Sequence, residues 1–321
     1  MKFRTMLAVT AGVLPASLAA ILVLLTLYSW PAFRFNGIQF AFQNTWDLGN
    51  LYAKPMVIGG TAIQPGAHYG ILFLVVGTLL SSLIALVLAV PVGMGAAIFL
   101  AEVVSGKLRL WTSFGVELLA AIPSVVFGLW GYVVLSPFLA HSVFPLLADT
   151  LGRVIPIFAG PTGSGYGLLT AGIVLSLMIV PLIAATLRDA LVAQPTTIRE
   201  AAMGLGATKF ETVWHVTLPS THRVLIGATF LALGRALGET MAVLMVSGNA
   251  LNALPHNIYS PVSTMATFVV SQLDRALADP TQMALRSLAQ IAVVLCLVSI
   301  AVNAIARLLL LAWGPARLPK R

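Results

Sequence analysis

Charged residues are scarce in this chain. Only 9% of its 321 residues are Asp, Glu, Lys or Arg, against about 25% in ordinary soluble domains. The mean hydropathy is +0.98. This composition predicts a membrane protein, and the net charge of +8 is therefore not evidence for nucleic-acid binding.

Cysteine and the common catalytic patterns are also nearly absent. The one cysteine, Cys296, lies in an apolar run, which excludes an internal disulfide and a cysteine metal site. His215 and His222 are separated by a Leu-Pro stop, a poor spacing for metal ligands, so we expect no metal. There is no Ser-His-Asp or Cys-His arrangement and no GxxxxGK[ST] phosphate loop. We predict a protein that is not an enzyme and needs no cofactor of its own.

Long apolar runs dominate what is present. Runs of about 20 residues can cross a bilayer, and the sequence predicts six transmembrane helices in an all-α integral membrane protein. The first run has too long an apolar core for a signal peptide, and no clear cleavage site follows it, so we expect a retained anchor helix. The predicted spans are Leu7–Tyr28, Ile71–Leu100, Phe114–Leu139, Leu168–Leu187, Val224–Val246 and Ser287–Ala312.

Lysine and arginine predict the orientation of these spans. Cytoplasmic loops carry an excess of both residues, and most of the 18 in this chain fall on the side of the N-terminus. We therefore predict that both termini are cytoplasmic and that the loops at about 29–70, 140–167 and 247–286 face outward. The outward set is Arg34, Lys54, Arg153, Arg275 and Arg286.

One polar segment, residues 196–219, interrupts the apolar pattern on the predicted cytoplasmic side. Thr196 or Thr197 can cap a helix that holds Glu200 in its first turn. Gly204 and Gly206 then interrupt it, and a second short amphipathic piece ends at a Leu-Pro stop. A short helix across the cytoplasmic mouth suits a groove on another protein.

The spacing in this segment resembles the EAA loop of ABC-importer permeases, with valine at position 216 where the family has isoleucine. The resemblance implies a type I, MetI-like permease domain over residues 71–312, preceded by an anchor helix and outer loop (1–70) and followed by a cytoplasmic tail (313–321). It also implies that the loop docks on a separate ATPase subunit, which would use the ATP. The matching residues are Glu200, Ala201, Ala202, Gly206, Leu218 and Pro219.

Two further runs, at 117–131 and 232–243, are similar to the phosphate-import permeases, and the second is closer to their PstC branch. The resemblance implies a bacterial inner-membrane permease that carries phosphate by alternating access. It implies a PstA-like second permease, a PstB-like ATPase dimer, an outer phosphate-binding protein and surrounding lipid as partners, and no nucleic acid. The alternatives are a permease of the same fold for sulfate or molybdate, or a secondary transporter that works without an ATPase.

Two charges lie inside the fifth predicted span. A charge at the bilayer centre costs about 2.5–3.5 kcal/mol on insertion scales. Arg235 and Glu239 stand at i and i+4, so they can share a helix face and pair. Two interpretations stay open: an ion pair that fixes helix packing, or a guanidinium in an anion pathway, where Glu239 weakens the hold on phosphate.

Four other residues complete the candidate set. Gly234 and Gly238 are four apart and predict close packing against the second permease. Thr240 is a weaker pathway candidate, since such hydroxyls often bond to their own backbone. Glu117 lines an inner gate or lies at the membrane interface, and Pro123 should kink the third span.

Overall fold

A computed structural model describes residues 2–58 and 60–312 of the chain, so the predicted tail 313–321 lies outside the described residues. The helices, in chain order, are α1 (Lys2–Asn36), α2 (Leu72–Val103), α3 (Gly106–Ala121), α4 (Ser124–Arg153), α5 (Leu168–Val192), α6 (Thr196–Gly204), α7 (Lys209–Ser220), α8 (His222–Leu237), α9 (Met241–Val246), α10 (Met265–Ser271), α11 (Leu273–Leu277) and α12 (Met283–Ala312). Between α1 and α2 lie the strands β1 (Trp46–Asp47), β2 (Met56–Ile58), β3 (Thr61–Ile63) and β4 (His68–Tyr69).

The all-α prediction is confirmed, with two small strand pairs in the first of the three loops that are predicted to face outward, which we call the outer loops. In each pair, β1 with β4 and β2 with β3, the strands run antiparallel. Within the described residues, five helices are long and apolar enough to cross a membrane: α1, α2, α4, α5 and α12. A sixth span is reached if α7 and α8, which meet at an angle of 65°, count as one broken span.

The third predicted span was wrong as a continuous helix. Helix α3 ends at Ala121, Ile122 and Pro123 are extended with ψ of 130° and 138°, and α4 begins at Ser124. Proline lacks an N–H and pushes the residue before it out of the helical region, so the chain breaks here instead of bending. The membrane-spanning helix is shifted toward the second outer loop as a result.

The fifth predicted span, Val224–Val246, is also not one helix. Helix α8 ends at Leu237 and α9 starts at Met241. The residues between them, 238–240, form a short break. Both helices nevertheless pack on the same core, through Ala232 and Ala242, which are fully buried.

The core is the long contact between α2 and α5. Small residues allow the two backbones to approach closely. A Cβ built on Gly93 would lie 3.0 Å from the Ile183 side chain, and one on Gly172 would overlap Ile84. Ala85, Ala171 and the core face of α8 complete this cluster. The α2–α5 pair is thus the rigid centre on which the other helices are arranged.

The three outer loops pack against one another at one end of the bundle. The side chain of Asn252 accepts a hydrogen bond from Trp46 N at 2.6 Å and donates to Trp46 O at 3.1 Å. The Trp46 ring lies 5.0 Å from the rings of both Tyr69 and Phe268. Tyr259 donates to Phe158 O at 3.2 Å. These contacts join the first loop to the third and the third to the second.

Candidate transport site and coupling loop

A buried arginine joins two helices at the opposite end of the bundle. Arg188 on α5 donates to Glu117 on α3 at 3.0 Å and to its neighbour Asp189 at 2.7 Å. The Arg188 side chain is only 10% exposed, whereas Glu117 and Asp189 are more than half exposed. From the sequence alone, Arg188 belongs to the basic residues on the predicted cytoplasmic side. Its partner Glu117 is 71 residues away in sequence, so no local pattern could have identified the pair.

Helix α3 depends on such polar contacts. None of its residues is buried. Near its start, Arg109 donates to the carbonyl oxygens of Val104 at 2.8 Å and Ala101 at 2.7 Å, at the end of α2. Together with the Glu117–Arg188 pair, these bonds fasten α3 to both central helices. Glu117 pairs with a buried arginine. This contact does not decide between the two predicted locations of Glu117, an inner gate and the membrane interface.

The polar segment predicted at 196–219 forms two helical arms, and we call it, with the last helical residue Ser220, the coupling loop. Helix α6 ends at Gly204, and Gly206 has φ +92°, a left-handed conformation that favours glycine. Thr208 then caps α7: its hydroxyl accepts from Glu211 N, and the Glu211 carboxylate accepts from Thr208 N at 2.8 Å. The predicted interruption at the two glycines is confirmed.

The predicted start of the loop was wrong. Pro195 precedes the first helical residue, Thr196, and no side chain caps α6, so neither threonine is its N-cap; Glu200 lies beyond the first turn. The predicted stop at Leu218-Pro219 is confirmed to within one residue: α7 ends at Ser220, and the chain bends by 65° into α8.

The coupling loop exposes apolar side chains. Leu205 is 91% and Phe210 is 73% exposed, although both lie in a polar segment. The Phe210 and Trp214 rings lie 6.2 Å apart and nearly parallel, at 5°. Of the predicted docking residues, Glu200, Ala201, Gly206 and Pro219 are exposed, and Ala202 and Leu218 are half-buried. An exposed apolar cluster rimmed by polar residues is typical of a protein-binding surface.

Arg235 and Glu239 do not pair as predicted. No ion pair joins them within the described part of the chain. Because α8 ends at Leu237, Glu239 leaves the helical face on which Arg235 lies. Its carboxylate accepts instead from Thr240 N at 3.1 Å and Ala242 N at 3.4 Å. Arg235 remains exposed on α8.

The neighbouring small residues are also open. A Cβ on Gly234 would meet only Asn303 Nδ2, at 3.9 Å, and one on Gly238 would meet only carbonyls of its own helix. Thr240 donates to Gly238 O at 3.3 Å, a bond to its own backbone. Among residues 2–58 and 60–312, only Asn303 comes near Gly234, and Arg235 is exposed, so the predicted contact with a second permease stays a prediction.

No three potential metal-ligating side chains converge within residues 2–58 and 60–312. His215 Nδ1 lies 3.2 Å from Glu211 O, and His222 Nδ1 lies 2.7 Å from Pro219 O. Both imidazoles thus contact nearby backbone carbonyls, that of His215 within α7 and that of His222 across the turn from α7 to α8.

The family model for binding-protein-dependent transport system inner membrane components matches residues 89–312. The chain belongs to this family. This permease is accordingly a multi-pass inner-membrane protein, a transport component and not an enzyme.

Curated relatives cover most of the permease. It is 45% identical over 278 residues to "Phosphate transport system permease protein PstC 1" of Mycobacterium tuberculosis, covering 86% of this chain and 82% of that protein. It is 36% identical over 297 residues to "Phosphate transport system permease protein PstC" of Pasteurella multocida, covering 92% and 86%. Among solved structures, the MetNI methionine ABC transporter in inward-facing conformations matches with a TM-score of 0.50 and 19% identity, over 77% of this chain and 95% of that one. That likeness concerns the fold alone.

Proposed function

We propose that this permease is the PstC-like subunit of an ATP-driven phosphate importer. The observation that carries the proposal is Arg235, an exposed guanidinium in a membrane helix that Glu239 does not neutralise. The names of its relatives support phosphate as the substrate.

Arginine suits this substrate. Its planar fork donates two parallel hydrogen bonds to two oxygens of one phosphate, and it stays charged at any physiological pH. Beside Arg235, Gly234 leaves the helix surface free of side-chain bulk. An oxyanion can therefore approach the guanidinium from the open face of α8, and a second permease on that face would enclose the path.

The arrangement of charges supports cytoplasmic termini. Arg109, Arg188 and Arg199 cluster at one end of the bundle, where α2, α5 and the coupling loop meet. The aromatic outer loops form the other end. Since positive residues mark the cytoplasmic side, the coupling loop faces the cytoplasm in this proposal.

The exposed apolar cluster of the coupling loop suits an ATPase partner. Leu205, Phe210 and Trp214 offer exposed apolar side chains as anchors, and Glu200 of the same loop is an exposed charge. A PstB-like dimer would bind this loop and the matching loop of a PstA-like subunit, and would use the ATP. A phosphate-binding protein would deliver substrate at the outer loops. The permease makes and breaks no covalent bonds. Its transport path opens alternately to the two sides of the membrane.

Uptake of labelled phosphate by vesicles that hold the whole complex tests the proposal. We expect phosphate uptake to require ATP inside the vesicles and the binding protein outside them. Excess sulfate or molybdate should not inhibit it. Uptake of sulfate or molybdate in place of phosphate would assign the permease to another oxyanion. Uptake without the ATPase subunit would contradict the importer class altogether.

A further inference from the structure

Helix α6, the first arm of the coupling loop, is only partly covered by the rest of the chain. None of its residues from Thr196 to Gly204 is buried, although Met203 lines a small cavity together with Val213 of α7. The second arm differs: Leu218 packs on a buried cluster that includes Ala97, Ala101 and Leu187. A helix with so little buried apolar surface is held only weakly by packing. The position of α6 relative to α2 and α5 therefore depends on polar contacts to those two helices.

One side chain supplies those contacts. Arg199, directly before Glu200, places Nη2 at 2.7 Å from Glu102 Oε1 at the end of α2. The same atom donates to Leu191 O, near the end of α5, at 2.7 Å. Arg199 and Glu102 are 21% and 18% exposed, so water screens the pair only in part. The Nη2 atom of Arg199 has hydrogen-bond geometry toward the Leu191 carbonyl. Its contact with Glu102 is an ion pair without a hydrogen bond.

Among the described residues, Glu102 forms its ion pair with Arg199. Lys209 lines the same two surface cavities as Glu102, but no ion pair joins them among the described residues. Glu102 itself lies in the π-helical end of α2, Phe99–Val103, a local geometry that often marks functional positions. One guanidinium thus touches both members of the central helix pair from the coupling loop.

We propose that Arg199 is the positioning residue that makes α6 move together with α2 and α5, so that force from the ATPase reaches the transport path. The proposal rests on the proposed function for its transport readout. Glu200 faces solvent and is free to contact the ATPase, while Arg199 faces the bundle. Two adjacent residues then have different roles: Glu200 contacts the ATPase, and Arg199 transmits the motion of α6 to α2 and α5.

The first experiment measures ATP hydrolysed per phosphate imported by the reconstituted complex. For Arg199→Gln and Glu102→Gln we expect this ratio to rise about fivefold or more, the low end of typical coupling between sites. The double charge exchange Arg199→Glu/Glu102→Arg should restore part of the ratio, since the ionic contact is re-formed with reversed polarity. The matched control is Arg307→Gln, an exposed arginine of α12. An unchanged ratio in both single variants would overturn the proposal while phosphate transport by the wild type left the proposed function standing.

The second experiment needs no transport. A nitroxide on Thr197→Cys, in a Cys296→Ser background, reports the mobility of α6 by electron paramagnetic resonance. We expect Arg199→Gln to increase this mobility, and the charge exchange to lower it again. Equal spectra with and without Arg199 would contradict the fastening role, whatever substrate the wild-type complex carries.

Discussion

Two arginines in the membrane helices of this permease have opposite environments. Arg188 on α5 is enclosed, and two carboxylates neutralise it within the chain. Arg235 on α8 is exposed, and the one acid near it in sequence turns away to cap α9. Removing the partners of a buried charge is costly, so the fold around Arg188 depends on its two carboxylates. A charge left open on a membrane helix faces a water-filled path, a ligand or another subunit.

The comparison is tested most strongly at Arg235. We expect Arg235→Ala to lower phosphate uptake about a hundredfold, since two charge-assisted hydrogen bonds contribute about 1.5 kcal/mol or more each. The amount of folded complex and its basal ATPase activity should stay near wild type. Arg275→Ala, an exposed arginine in the third outer loop, is the matched control. Normal phosphate uptake in Arg235→Ala would reduce Arg235 to a packing residue.

For the enclosed arginine, Arg188, we expect removal of its partners to lower folding stability. Glu117→Gln combined with Asp189→Asn leaves Arg188 buried without its two partners, and we expect unfolding in detergent to be easier by about 2–3 kcal/mol, below the 3–5 typical of fully buried pairs because both acids are partly solvated. Arg188→Gln should cost less, because the carboxylates that it leaves are more than half exposed.

Thermal unfolding followed by near-ultraviolet circular dichroism gives the order of stabilities. Equal or reversed costs for the double variant and Arg188→Gln would mean that the pair is a surface contact. In that case α3 would be held mainly by Arg109 and its two carbonyl partners.

The two regions also differ in how far sequence could predict them. The coupling loop was predictable in outline, since Gly206 and the EAA spacing are local patterns. Hydropathy could not show that Val224–Val246 is broken at residues 238–240, because a broken and a continuous apolar helix have the same composition. The Glu117–Arg188 and Glu102–Arg199 pairs depend on how distant helices pack, which no single run of residues encodes.

The break between α8 and α9 provides a finer test of the open region. Because Glu239 bonds to Thr240 N and Ala242 N and not to Arg235, Glu239→Gln should weaken the start of α9 without removing a partner of Arg235. A double-mutant cycle of Arg235→Gln and Glu239→Gln on phosphate affinity should give a coupling energy below about 0.5 kcal/mol, as for independent sites. A coupling of about 1.5 kcal/mol or more would show that the two charges pair in a transport state.

The smallest effect is expected for a carboxylate that is exposed and does not contact an arginine. Glu211, fully exposed at the start of α7, accepts from the backbone N–H and the hydroxyl of Thr208, and these bonds lower the pKa of its carboxyl. A lowered pKa in the folded state stabilises the cap above the ordinary glutamate pKa of about 4.3, and the stabilisation is lost as the pH falls through the lowered value. Amide hydrogen exchange of residues 208–212, corrected for the intrinsic effect of pH, should therefore show less protection below about pH 4. In Glu211→Gln this pH step should vanish, and the same step in both proteins would place its origin outside the cap.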